Sequence, residues 1–326
     1  MAALEAADER VAETRRRKSH GFSRQDRIEI EETTAKRGLV AALLCVLLYA
    51  WLTPPACSGK DRVRYNNSCF NKLLLGGSRV EYRDAGRIAG IIEEWLRAEA
   101  GKAGARGVTV GLSGGIDSAV VAALGRRAFG RDMLAVIMPC HSAPIDGEDA
   151  LLAAQALDIP FKTVELTAAF DILSGEMEKA GVSVSRMAGA NLKARLRMAT
   201  LYAVAQTEGF LVCGTSNRSE YETGYFTKYG DSASDLWPLA DLFKTEVRAV
   251  AKVLDVPERI IAKAPTAGLW AGQTDEGEMG FSYDELDRYL LTGEAEPAVR
   301  DRIEALRRKS EHKRRPVPVC RIPMEV

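Results

Sequence analysis

From residue 84 onward the apolar positions switch between two spacings. Ile88, Ile91, Ile92, Trp95 and Leu96 recur every three or four residues, which predicts an amphipathic helix over 84–99. Glycines between 101 and 107 are expected to break it. Residues 108–112 form a short β-rich run, followed by a glycine turn and an apolar helix over 119–129. The alternation then repeats. Strands are predicted at 133–138, closed by Pro139, at 161–165 and at 210–213, with helices over 149–157, 168–179 and 190–207. Short buried strands alternating with helices imply an α/β fold built on an open, doubly wound parallel sheet covered on both faces. After Pro238 the strands stop. Phe243, Val247, Val250, Ala251 and Leu254 mark a helix ending before Pro257, and two more are expected over 283–291 and 297–311, giving a helical C-terminal portion.

The first 79 residues follow another pattern. Residues 1–37 mix charges of both signs, and 39–52 are apolar behind Lys36 and Arg37. A bilayer needs about 18–20 apolar residues, so this segment is too short for a stable transmembrane helix. Its length suits a signal-peptide core, but the stretch before it is longer than a usual n-region. An artefactual or dispensable extension, a buried or interfacial helix, and an export or anchor signal all stay open. The expected division is an N-terminal extension over 1–79 and an α/β region over 80–326, the latter without a membrane segment.

Composition narrows the chemistry. Among 326 residues, 45 Lys and Arg balance 45 Asp and Glu, which argues against a nucleic-acid binder held by bulk positive charge. Six cysteines in a chain this long cannot build a disulfide scaffold, and no Cys-x-x-Cys pair suggests zinc. His20, His141 and His312 are scattered, which argues against a His-rich metal site.

The glycine turn after the first of the alternating strands carries the strongest signal. It reads Gly111, Leu112, Ser113, Gly114, Gly115, Ile116, Asp117, Ser118, where a strand feeds a helix. Consecutive unobstructed backbone N–H groups at a helix N-terminus bind phosphate. A Walker A loop would end in Gly-Lys-Ser/Thr, and a dinucleotide fingerprint would read G-x-G-x-x-G; neither is present. An acidic residue in a phosphate nest repels its ligand unless a cation bridges them, so Asp117 reads as a magnesium ligand. The plainer reading makes Asp117 a helix cap. In a sheet whose four strands lie in the order 3-2-1-4, the first and fourth are neighbours at the switch point, and Glu220, just past the fourth, would face the same crevice as Asp117.

The Ser-Gly-Gly-x-Asp-Ser string at 113–118 resembles the signature of the ATP pyrophosphatase (PP-loop) superfamily. Residues 191–198, 214–231, 238–244, 265–270, 272–276 and 311–314 resemble, in the same order, the ammonia-using NAD synthetases within it. The resemblance implies ATP-dependent amidation of deamido-NAD through an adenylated carboxylate, with release of AMP and pyrophosphate. It places ATP on Gly111 to Ser118 with Thr215, Lys244 and Thr266, and Mg2+ on Asp117 and Glu220. It places deamido-NAD on Arg195, Lys228, Asp235, His312 and Lys313. Asp231 is the candidate acceptor of a proton from ammonium, and Asp117 and Lys244 are candidate catalytic groups. A cytoplasmic homodimer without nucleic acid is implied. Glutamine-using relatives carry a glutaminase domain that 79 residues could not house, so ammonia is the expected nitrogen source. The alternatives are a GMP synthetase-like amidotransferase, a tRNA thiolase, or a nucleotide-binding module without catalysis. Adjacent Cys140 and His141 leave a nucleophile pair open as a minor reading.

Overall fold

The computed structural model describes residues 70–75, 78–266, 268, 273–322 and 324, all of which belong to the compact unit Ser58–Val326. The expectations for residues 1–69 lie outside the described residues. The first described element is an antiparallel hairpin that the apolar pattern does not predict. Strand β1 (Phe70–Leu75) pairs with β2 (Ser78–Arg83), Leu75 opposite Ser78 and Phe70 opposite Arg83. Strand β2 runs across residue 80.

Helix α1 (Ala85–Ala103) starts at Asp84, whose carboxylate accepts the Arg87 N–H at 2.7 Å, and it buries Ile88, Ala89, Ile92, Leu96 and Ala100. It runs straight through Gly101, where a break was expected, and ends at Gly104 in the left-handed conformation. One exposed glycine near a helix end costs only about 1 kcal/mol, less than burying the neighbouring apolar face returns.

The sheet is the predicted one. Strands β3 (Gly107–Gly111), β4 (Met133–Ile137), β5 (Phe161–Thr163) and β6 (Phe210–Cys213) lie in the order β5-β4-β3-β6, all parallel, which is 3-2-1-4 in chain order. Past β6 an isolated parallel bridge between Cys213 and Leu236 continues the edge. Helix α2 (Ile116–Phe129) follows β3, α3 (Pro144–Ala156) follows β4, and α4 (Thr167–Lys179) follows β5. Helix α5 (Arg186–Glu208) starts at the Ser185 cap, packs along β3 and β6, and leads into β6. Helix α7 (Lys244–Val253) lies against α1 and α2, and its Val247 and Val250 join Leu96, Val110, Leu124 and Met133 in the main core.

Between β6 and α7 is α6 (Arg218–Thr223), a single capped turn and a half that the apolar pattern does not predict. The short helices α8 (Glu258–Ile261) and α9 (Asp275–Met279) were likewise not predicted. Helices α10 (Tyr283–Thr292) and α11 (Pro297–Arg314) match expectation and share a second core of Met279, Phe281, Tyr283, Leu286 and Ile303. No helix among the described residues is long and apolar enough to cross a membrane.

Gly107 shows how tightly the start of the central strand β3 is built. A Cβ there would lie 1.6 Å from the carbonyl oxygen of Asp132, the same oxygen that accepts the Val108 N–H at 3.1 Å. The backbone of the turn into β4 would have to move. Gly107→Ala should therefore destabilise the protein by about 2 kcal/mol or more, read as a lowered midpoint of thermal or denaturant unfolding.

Candidate active site

The carboxyl ends of β3, β4 and β6 open onto a cavity of about 440 Å³. Its floor is the glycine loop. The Ser118 hydroxyl donates to the Gly115 carbonyl at 2.9 Å and accepts the Ser113 N–H at 3.2 Å, and the Ser113 and Ser118 hydroxyls lie 3.0 Å apart. The turn is thus shaped by its own side chains before any ligand arrives. Gly114 has φ +79°, and a Cβ on it would meet the Asp146 carbonyl at 2.4 Å, so the loop is pressed against the start of α3. The N-cap of α2 is Gly115, with no side chain over the first-turn N–H groups. Asp117 is therefore not the cap. Its carboxylate is engaged elsewhere.

Asp117 Oδ2 accepts from Lys244 Nζ at 2.6 Å, and Glu220 Oε1 accepts from the same ammonium at 3.0 Å. The crossover thus brings together residues from three elements, α2, α6 and α7. Lys244 is only 2% exposed. Burial works against its charge, but the two carboxylates more than offset that and hold its pKa above the ordinary lysine range. Burial pushes the Glu220 carboxyl well above the usual carboxylate range, with Asp117 adding to the effect and Lys244 opposing it. The Tyr283 ring lies 4.9 Å from Lys244 Nζ, and its hydroxyl donates to Asp275 Oδ2 at 3.0 Å.

Other contacts hold this pair of carboxylates in place. Asn217 caps α6 by accepting the Glu220 N–H at 3.0 Å, while its amide nitrogen donates to Asp117 Oδ1 at 2.8 Å. Asp287 on α10 accepts from the Ser219 hydroxyl, from the Thr245 N–H at 2.9 Å and from the Thr245 hydroxyl at 2.8 Å. On the far side Arg83 grips Glu246 with two hydrogen bonds of 2.9 and 2.7 Å, and Glu246 accepts the Phe243 N–H that begins α7. The N-terminus of α7, and with it Lys244, is fixed from both the hairpin and the C-terminal helices.

Thr215 and Thr266 line the same cavity, as does Asp231, whose carboxylate accepts the Thr227 N–H at 2.8 Å. The remaining predicted residues do not line it. Arg195 donates to the Lys228 carbonyl at 3.2 Å, Lys228 to the His312 carbonyl at 2.7 Å, and Lys313 to the carbonyls of Gly224 and Phe226 at 2.8 and 2.6 Å. These four residues gather around the segment 224–228. Asp235 stands apart, accepting from the Val212 N–H at 2.8 Å and the Tyr202 hydroxyl at 3.3 Å. Cys140 and His141 diverge: the thiol is buried and faces the Leu166 carbonyl, while the His141 ring reaches Asp171 at 2.7 Å. Burial also raises the Cys140 pKa, so the geometry does not provide a nucleophile pair.

The donor set fits a magnesium ion. Two carboxylates already share one cationic partner, and Mg2+ is commonly held by one or two carboxylates together with phosphate oxygens and water. No group of three or more His, Cys, Asp or Glu side chains suited to a metal occurs among the described residues. A cation here would complete its shell from the nucleotide and solvent.

The family model for NAD synthase matches residues 88–317. The chain belongs to the NAD synthase family. It is 50% identical over 222 residues to the NH3-dependent NAD+ synthetase of Carboxydothermus hydrogenoformans, covering 68% of this chain and 91% of that protein. Among solved structures it resembles an NMN synthetase from Francisella tularensis, with TM-score 0.70, 37% identity and coverage of 74% and 100% of the two chains. It also resembles an NH3-dependent NAD synthetase from Campylobacter jejuni, with TM-score 0.62, 30% identity and the same coverage.

Around this cavity several residues escape a reading of the sequence. Asn217, Asp275 and Asp287 support the ion pairs, and Arg197 and Lys263 bring further cations to the cavity. Asn217, three positions before Glu220, carries the spacing of a capping box and could have been found by that pattern. Arg197 and Asp275 fall within the resembling strings 191–198 and 272–276, where no role was assigned to them, and Lys263 and Asp287 have no local signature.

Asp117→Asn and Glu220→Gln should each lower pyrophosphate release by about 100-fold or more, as charge stabilisation at transferring phosphoryl groups predicts, and should also lower the unfolding midpoint, because the buried Lys244 loses one of its two counter-charges. Near-normal turnover in either variant would remove that residue from the site. Asp287→Ala leaves three donors without their acceptor and should cost about 2–4 kcal/mol, measured by denaturant unfolding, with a parallel loss of turnover.

Proposed function

We propose that the chain is a ligase that amidates deamido-NAD to NAD with ammonia, at the expense of ATP and with release of AMP and pyrophosphate. The observation that carries this reading is the Lys244 ammonium shared by Asp117 and Glu220. They share the cavity with a preformed glycine loop and a helix N-terminus free of any side-chain cap. The curated relatives are named for this reaction.

A carboxylate is a poor electrophile, because its carbon is shielded by delocalised charge and its oxygen leaves badly. In the proposed course a nicotinate carboxylate oxygen bonds to the α-phosphorus of ATP while the bond to the β-phosphate oxygen breaks. Pyrophosphate departs. Ammonia then attacks the activated carbonyl carbon, the bond to the adenylate oxygen breaks, and AMP leaves. The uncapped N–H groups of α2 and the glycine loop receive phosphate oxygens. Asp117 and Glu220 would hold Mg2+, which supplies charge neutralisation on the phosphates when bound. Lys244 would orient both carboxylates and contact ATP. Thr215 and Thr266 would contact ATP. Arg195, Lys228, Asp235, His312 and Lys313 would contact deamido-NAD, and Asp231, which lines the cavity, would accept the proton that ammonium sheds.

Residues 80–326 are proposed as the catalytic region, in the cytoplasm where ATP is made available. Helix α4 buries none of its residues, and Ile172, Val182 and Met187 are exposed on it and just beyond it, which supports a homodimer in which a second copy covers this face. A second substrate reading is favoured by the likeness to the Francisella NMN synthetase, in which the acid would be nicotinate mononucleotide.

The test is an assay with ATP, Mg2+ and ammonium, scoring AMP, pyrophosphate and the amide. Deamido-NAD, nicotinate mononucleotide and xanthosine monophosphate are compared as acceptors. Deamido-NAD should give the highest kcat/KM, and xanthosine monophosphate none. A preference for the mononucleotide would transfer the assignment to the second reading. Glutamine without ammonium should give no turnover in the purified protein.

A further inference from the structure

Three cations line the cavity among the described residues: Lys244, Lys263 and Arg197. Two are already neutralised. Lys244 sits between Asp117 and Glu220, and Lys263 between Asp146 at 2.8 Å and Asp149 at 2.7 Å. Arg197 differs. Its Nε donates to the Met138 carbonyl at 3.0 Å and its Nη2 to the Ser142 hydroxyl at 3.1 Å, both neutral acceptors, and it forms no ion pair. Burial lowers its pKa, which means that the surroundings penalise its charge without a counter-charge in contact. A guanidinium held in a low-polarity wall by two neutral acceptors is costly unless a ligand brings the anion.

Its location narrows which anion. Helix α5 turns Ala194, Arg197, Met198 and Leu201 to the cavity, spaced as one face of a helix. Leu201, one turn beyond Arg197, lies 3.4 Å from where a Cβ on Gly111 would be, and Met138 lies 3.1 Å from the same point. Arg197 is thus fastened to the end of β4, beside the strand that delivers the glycine loop. Arg195, two residues earlier, turns instead to the segment around Lys228.

We propose that Arg197 is a binding residue for the oxyanions of the nucleoside triphosphate, its planar fork supplying the fixed positive charge that the two lysines, already paired, do not. This rests on the ATP-using reading above. The same fork would also suit the carboxylate of the acid substrate, so the experiment separates the two.

The full chain and its variants Arg197→Met and Arg197→Lys are titrated with α,β-methylene-ATP and with adenosine by calorimetry, and KM is measured separately for ATP and for deamido-NAD. R197M should bind the triphosphate analogue about tenfold or more weakly, the loss expected for one charge-assisted contact, while adenosine binding is unchanged. R197K should recover part of the affinity, and the KM increase should fall on ATP alone. An unchanged affinity for the analogue, or an equal loss for adenosine, would overturn the proposal. So would a KM increase confined to deamido-NAD, which would assign the guanidinium to the carboxylate. A lowered unfolding midpoint with intact analogue binding would overturn the proposal too, making Arg197 a structural tie between α5 and the loop that follows β4. Because the binding measurement does not need amidation, a failure of the amidation assay in the unaltered protein would leave this result readable.

Discussion

One buried ammonium organises the centre of this molecule. Lys244 is almost wholly removed from water, and an isolated charge in that position would cost several kcal/mol. It is tolerable only because two carboxylates from different parts of the chain converge on it. The reverse also holds. Asp117 and Glu220 could not both stay ionised side by side in a protein wall without a cation between them. Each group is the condition for the other two, and the positions of α2, α6 and α7 follow from satisfying all three.

This requirement explains why the surroundings are so heavily tied down. The start of α7 is gripped by Glu246 and Arg83 from the β-hairpin and by Asp287 from the C-terminal helices. Asn217 uses both ends of its amide, one for the backbone of α6 and one for Asp117. A small displacement of any of these would leave a desolvated charge without its partner, so precision here is enforced by electrostatics more than by apolar packing. The apolar core under the sheet fixes the layers; the polar net fixes the side chains.

Much of the fold was legible before the structure. Four strands and most of the long helices follow from apolar spacing, because long periodic segments average out local noise, while the order 3-2-1-4 came with the doubly wound fold class and holds. The misses have physical reasons. Helix α1 passes Gly101 because tertiary burial outweighs the local penalty, and α6, α8 and α9 are too short to show a period. The hairpin Phe70–Arg83 is held by backbone pairing and an ion pair made 163 positions away, which no window can see. In the site, the glycine loop was plain because a nest needs particular residues in a row. Asp117, Glu220 and Lys244 were found from motif context and the predicted strand order, and they do meet. Their direct contact through a lysine, rather than a shared open face, was not foreseen. Arg197 and Asp287 were missed because an arginine or aspartate in a helix looks the same whether it faces solvent or a cavity.

Helix α5 has one further consequence. Arg195 and Arg197 are two positions apart, so they leave the helix axis about 200° from each other and serve different compartments. A single inserted or deleted residue between Ser185 and Arg195 would rotate one part of the helix by about 100° against the other and misdirect both arginines or break the cap. Substitutions on the exposed stripe carry no such penalty. The exposed stripe of α5 can therefore vary in composition while the residue count of the helix stays fixed, so that on this face length is constrained more strictly than identity.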